Sequence, residues 1–164
     1  MPQITLLGWL HTAAGGFAII VGVVALIRHK LLASTNLAGR LYLAATLLTA
    51  VTALGIYQHG GFGVAHALAV LTLLALAAGF TAERTSLFGA AGRFVAPLSY
   101  LATLLFHAIP AVTDATLRLP VGDPLLNSIE DPRLKTTYLA LLLAFIVGAI
   151  AQTRWLARQG RAAR

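Results

Sequence analysis

The sequence contains no cysteine, and this absence removes several kinds of site at once. Disulfides, zinc-thiolate centres, iron-sulfur clusters and covalently attached c-type haem all need cysteine sulfur. Carboxylates are scarce as well, since Asp and Glu together number 5 among 164 residues. There is also a single methionine. A metal or cofactor site in this chain must therefore depend mainly on histidine.

Charged residues are the second scarcity, at 10% of the chain against about 25% in a typical soluble domain. Apolar residues reach 59% and gather into runs of about 20, the length that crosses a hydrocarbon core roughly 30 Å thick. We predict an all-α, polytopic membrane helix bundle that forms one integral membrane domain over residues 1–164. The predicted spans, about five in number, cover residues 6–27, 41–57, 64–80, 94–113 and 136–156.

The basic residues predict that the N-terminus lies outside and the C-terminus in the cytoplasm, because basic loops are retained on the cytoplasmic side. Of the 12 Lys and Arg residues, the external ones would be Arg118, Arg133 and Lys135. The cytoplasmic ones would be Arg28, Lys30, Arg40, Arg84, Arg93, Arg154, Arg158, Arg161 and Arg164. This pattern favours a multi-pass protein of a bacterial inner (plasma) membrane. It argues against a nucleic-acid partner, since the charge of +7 is spread over loops and a tail.

The external loop between the fourth and fifth spans is rich in proline. Pro120, Pro124 and Pro132 exclude one continuous helix there, because proline lacks the backbone N–H that a helix interior needs. We predict a short helix or turn near residues 124–129, lying over the outer ends of the bundle.

Four of the five histidines fall towards the external side in this orientation: His11, His59, His66 and His107. At about 1.5 Å of rise per residue, His11, His66 and His107 lie within roughly 10 Å of the outer boundary. A neutral imidazole keeps a lone pair for a metal or haem iron. The fifth, His29, sits in the basic first loop and is interpreted as an ordinary loop residue.

Small and polar residues accompany these histidines at helical spacing. His11 shares a face with Gly15 and Gly22, which leave room either for a flat cofactor or for close helix packing. The fourth span has the most polar face, formed by Tyr100, Thr103, His107 and Asp114. On the second span, Thr46, Thr49 and Tyr57 are interpreted as a packing and hydrogen-bonding face.

Two short motifs carry a resemblance to a known family. Residues 10–16 read Leu-His-Thr-Ala-Ala-Gly-Gly, residues 39–42 read Gly-Arg-Leu-Tyr, and a glycine-rich stretch opens the third span. Over roughly its first four helices the chain resembles a bacterial membrane family known only as a domain of unknown function. In that family a His-Arg pair precedes Gly-Arg, whereas Thr35 and Asn36 stand here. The chain is also loosely similar to small helical b-type cytochromes and to oxidase-maturation proteins.

The leading hypothesis for function is a redox-active membrane protein that binds haem b near the external face. His11 and His107 would be the axial ligands, and His66 a further ligand or a partner of a ligand. The haem propionates would meet the external cations Arg118, Arg133 or Lys135. Such a centre suits electron transport to a membrane redox partner.

Two alternatives stay open. A divalent-metal site, for zinc or copper, could use His11, His66, His107 and Asp114 for lipid hydrolysis or metal handling. Alternatively, the chain is a non-enzymatic accessory or assembly subunit that packs on a larger membrane complex through its small-residue faces. No catalytic residue is identified by the sequence, and whether the protein is an enzyme stays open.

Overall fold

The structure is a computed structural model that describes residues 5–57 and 61–162, and over these residues it is all-α. The helices are α1 (Leu6–His29), α2 (Leu37–Ala53), α3 (Val64–Arg84), α4 (Gly92–Arg118) and α5 (Pro132–Ala162), with a short 3₁₀ turn (Gly89–Ala91) before α4. His59 lies outside the described residues. The prediction of an all-α chain with five helices is confirmed.

Four of these helices are long and apolar enough to cross a membrane, namely α1, α3, α4 and α5. The remaining helix, α2, is apolar but has 17 residues, or about 25 Å of helix. Large Leu, Ile, Val and Phe side chains lie mostly on the outside of the bundle, while the buried residues are mainly Ala, Thr and Gly. This is the reverse of a soluble core, and it suits an outer surface that faces lipid.

The position of α2 corrects the predicted second span. The span is expected at residues 41–57, whereas the helix covers Leu37–Ala53, four residues earlier. The reason is local hydrogen bonding: the side chain of Asn36 accepts a hydrogen bond from the backbone N–H of Gly39 at 2.8 Å and starts the helix there. Tyr57 therefore lies beyond the end of α2, in the connection to α3.

Glycines bring α1 and α2 into close antiparallel contact. A methyl group on Gly15 would lie 3.3 Å from Thr49 Cγ2, and one on Gly22 would lie 2.8 Å from the ring of Tyr42. As the chain advances along α1 its partners move backwards along α2, so the two helices are antiparallel. From the sequence, Gly15 and Gly22 could leave room either for a cofactor or for close helix packing. In the structure they are used for packing between α1 and α2.

The same arrangement recurs along the bundle. α3 packs against α4, α2 against α3, and α5 against α4. The ring of Tyr100 packs directly against Gly79 of α3, and Leu101 packs beside Gly148 of α5. The odd-numbered helices therefore begin at one end of the bundle, named here the histidine end because His11 lies near it. They finish at the other, named the basic end.

The loop at the histidine end between α4 and α5 consists of turns, with no helix in its described residues 119–131. Leu126 anchors it, because its backbone N–H donates to Thr116 O at 2.9 Å and its side chain is buried. The loop thus folds back onto the end of α4. Of the two predicted possibilities near residues 124–129, a short helix or a turn, the turn is observed.

Candidate functional site

Three threonines form a buried stripe along α2. Thr46, Thr49 and Thr52 follow one another at intervals of three residues, about 4.5 Å along the helix axis. The hydroxyls of Thr49 and Thr52 donate to carbonyls of their own helix, those of Ala45 and Leu48, each at 2.8 Å. Two histidines from other helices contact this stripe.

His11 of α1 contacts the stripe nearest the histidine end. Its Nδ1 lies 3.0 Å from Thr49 O and 3.3 Å from Thr52 Oγ1. A carbonyl oxygen only accepts, so a neutral His11 must carry its proton on Nδ1. The lone pair is then on Nε2, which makes no hydrogen bond with a described residue. A histidine that donates one ring N–H to a carbonyl while its other nitrogen is free has the arrangement of a metal-ligating histidine.

His107 of α4 contacts the stripe one turn deeper. Its Nε2 shares a 3.1 Å hydrogen bond with Thr46 Oγ1, and the ring of Tyr42 meets it edge-on with 6.5 Å between ring centroids. The residue is 7% exposed, so it faces the bundle interior and not lipid, as expected from its polar helix face. His11 and His107 therefore reach successive turns of the same helix from two different helices.

The hydrogen-bond network continues towards the basic end. The hydroxyl of Thr103 donates to Tyr100 O at 2.7 Å and lies 2.6 Å from the hydroxyl of Tyr42, from which it accepts. The hydroxyl of Tyr100 in turn donates to Glu83 at 3.1 Å, and the same carboxylate accepts from Ser34 N at 3.1 Å. Polar side chains thus tie α2, α3, α4 and the loop after α1 together inside an otherwise apolar bundle.

His66 is not part of this arrangement. The backbone N–H of Gly63 donates to His66 Nδ1 at 3.1 Å, so a neutral ring carries its proton on Nε2 and has no lone pair left for a metal. Its ring contacts the rings of Tyr57 and Phe62, with centroids 4.6 Å and 5.2 Å away. Nε2 is buried without a partner among the described residues. The expectation that His66 serves as a third ligand is not supported in this geometry.

Asp114 is likewise separate from the two inner histidines. Its side chain is 65% exposed and pairs with Arg118 at 3.5 Å. Within residues 5–57 and 61–162, no three His, Cys, Asp or Glu side chains come close enough together to hold one metal ion. The expected four-residue metal site from His11, His66, His107 and Asp114 is therefore not assembled.

The cations expected to meet haem propionates already have carboxylate partners. Arg118 pairs with Asp114, Arg133 with Asp131 at 3.0 Å, and Lys135 with Glu130 at 2.9 Å. Hydrogen bonds from Arg133 and Lys135 hold the pKa of Asp131 and of Glu130 below their ordinary values. These pairs are solvent-exposed and contribute little to stability.

Tyr42 and Glu83 are the network residues that sequence reasoning did not assign to a site. A periodic signal was available for Tyr42, because residues 42, 46 and 49 recur at the spacing of one helical face. The sequence signal for Glu83 is different: it is a lone carboxylate at the end of an apolar span. Its partner Tyr100 could not be read from the pattern.

Comparison of the chain with protein-family models, with curated proteins and with solved structures gave no match. The resemblance carried by residues 10–16 and 39–42 therefore stays a prediction.

Proposed function

We propose that all five helices span a bacterial inner membrane, with the histidine end outside and the basic end in the cytoplasm. The distribution of Lys and Arg supports this orientation. The short α2 would cross because its flanking loops can enter the interfacial region on both sides.

Reporter fusions test the orientation directly. A reporter that is active only in the cytoplasm should be active after Arg164 and inactive when inserted at Asp123. In-frame fusions of equal expression level serve as the control for synthesis. The opposite pattern of activity would reverse the orientation and place both inner histidines near the cytoplasm.

For the activity, we propose a redox-active membrane protein whose centre is the pair His11 and His107, with haem b as its cofactor. The observation that carries the proposal is that both imidazoles contact the threonine stripe of α2 on successive turns, each with one nitrogen held and the other free of described hydrogen bonds. A haem with two imidazole ligands supplies one-electron transfer when bound. Its electrons would pass to or from a membrane redox partner.

The imidazole nitrogens of His11 and His107 suit haem iron, but the interface between α1 and α2 has no room for the haem ring. Two neutral imidazoles are suitable ligands for haem iron. Thr49 O holds the proton of His11 on Nδ1, so Nε2 keeps the lone pair that would bind the iron. The interface between α1 and α2, however, is filled by Thr49 and Tyr42 against the glycines of α1. The two histidines that would hold the haem lie on α1 and α4, which make only limited contact with each other.

A second candidate is the non-enzymatic subunit. It is favoured by the bond between His107 Nε2 and Thr46, because this histidine would then act only as an interhelical hydrogen-bond group. Such bonds contribute about 0.6 kcal/mol on average in membrane bundles. The zinc or copper alternative has less support, since two imidazoles leave the coordination of either ion incomplete.

An absorption spectrum separates these functions. The full chain, purified from membranes in mild detergent, should show a Soret band and, after reduction, split α and β bands. Metal analysis of the same sample should find iron in proportion to protein. Stoichiometric zinc or copper would support the metal site instead. A colourless, metal-free protein would support the function as a non-enzymatic subunit.

A further inference from the structure

A cleft of about 620 Å³ opens at the basic end, between the last turn of α1, the middle of α4 and the second half of α5. Its apolar part is lined by Leu26, Leu101 and Gly148. Its outer part is lined by Lys30, Arg154 and Arg158 together with Trp155. This cleft lies at the opposite end of the bundle from His11.

The polarity of the cleft changes along the helix axis. The side chain of Gln152 donates to Lys30 O at 3.1 Å, which places Gln152 level with the end of α1. Gly148 lies four residues before it, about 6 Å deeper towards the bilayer, and Arg158 lies six residues after it, about 9 Å further out. The lining therefore passes from apolar to cationic over roughly the distance from the acyl chains of a phospholipid to its phosphate.

The charges of the cleft are of one sign. Among the described residues that line it there is no Asp or Glu, and Lys30, Arg154 and Arg158 form no ion pair with any residue that the structure describes. The three cations at the histidine end, by contrast, each have a carboxylate partner. The cleft is therefore electrostatically suited to bind an anion.

A polar group inside the cleft gives an independent indication of a ligand. Gln152 is 6% exposed, and because its Nε2 donates to a carbonyl, its Oε1 must be the atom that faces away. This Oε1 is buried without a hydrogen-bond partner in the described part of the chain. Neighbouring side chains cover it, so it gains a donor only when they move as a ligand enters the cleft.

We propose that this cleft is a binding site for an anionic phospholipid such as phosphatidylglycerol. An acyl chain packs along Leu26, Leu101 and Gly148, while Lys30, Arg154 and Arg158 surround the phosphate. Trp155 lies at the level of the headgroups, where tryptophan is enriched in membrane proteins. The proposal is independent of the histidine centre.

The two tryptophans of the chain allow a direct test, because Trp9 lies at the histidine end and Trp155 in the cleft. The full chain carrying Trp9→Phe is reconstituted in vesicles of brominated phosphatidylcholine, whose bromines quench nearby tryptophan fluorescence. Unbrominated phosphatidylglycerol should restore the fluorescence of Trp155 more than its mole fraction in the bilayer accounts for. The Trp155→Phe variant, which reports from Trp9, should follow the mole fraction.

Charge variants give the size of the effect. Each Lys or Arg near an anionic headgroup contributes about fivefold in affinity, so Arg154→Gln combined with Arg158→Gln should lower the preference for phosphatidylglycerol by up to roughly 25-fold at low ionic strength. The matched pair Arg118→Gln and Arg133→Gln, at the opposite end, should leave the preference of Trp155 unchanged.

Three results would overturn the proposal. Fluorescence of Trp155 that follows the mole fraction would mean that the cleft does not select lipid. A preference that survives the Arg154 and Arg158 substitutions would mean that these cations do not bind the headgroup. Loss of the preference when inorganic phosphate replaces chloride at matched ionic strength would assign the cleft to free phosphate.

Discussion

Replacing Gly39 with alanine is expected to destabilise the bundle by about 3 kcal/mol, a large effect for the addition of one methyl group. Gly39 is buried in the first turn of α2, and a Cβ at this position would overlap the backbone carbonyl of Ala33. Because the obstacle is backbone, no change of rotamer relieves it. The same shift would pull the Gly39 N–H away from the capping oxygen of Asn36. Titration of the purified protein with SDS in mixed micelles measures the free energy of unfolding.

Gly16→Ala is the matched control for this substitution. Gly16 also lies in a helix, but a Cβ there would meet nothing within 4 Å. Alanine is favoured over glycine in a helix interior by about 1 kcal/mol, so this variant should be as stable as the parent or slightly more so. Equal stability of the Gly39 and Gly16 variants would show that the loop before α2 yields easily, and that the close approach to Ala33 does not constrain the fold.

The five helices are predictable from the sequence because each is a run of apolar residues, and hydropathy sums over about 20 positions. The ends of the helices are less predictable, because one or two hydrogen bonds determine where a helix begins or ends. Asn36 starts α2 four residues before the predicted boundary, and α4 continues to Arg118 beyond the predicted residue 113. The hydropathy of these end residues is too low to reveal that they are helical.

The site was predictable only in part, for a similar reason. The interior position of His107 follows from periodicity, since Tyr100 and Thr103 precede it on the same helix face. The state of His66 depends on one backbone N–H, that of Gly63, which no sequence pattern reports. Asp114 shares the face of His107 but lies two turns nearer the end of α4, where that face has become exposed.

His107→Ala is expected to abolish the Soret band of the purified protein while leaving its helices inserted in the membrane. An alanine has no donor atom, and no other histidine in the described residues shares the stripe of α2 with His11. If the protein binds haem b through His11 and His107 as proposed, the chain has no cysteine to hold the cofactor covalently, so loss of one of the two imidazoles should release it. The measurement is the ratio of Soret to protein absorbance, with circular dichroism as the check on helix content.

Matched variants distinguish ligation from packing. His66→Ala removes an equally buried imidazole whose Nδ1 already accepts from Gly63, so it should keep the Soret band despite a comparable loss of packing. Thr46→Val keeps the volume of the side chain but removes its hydrogen bond to His107, so it should retain haem and shift its reduction potential. If a Soret band is present in the parent and His107→Ala leaves it unchanged, His107 is not a ligand. Its bond to Thr46 is then only an interhelical hydrogen bond, whose loss costs about 0.6 kcal/mol of stability beyond the cavity left by the ring.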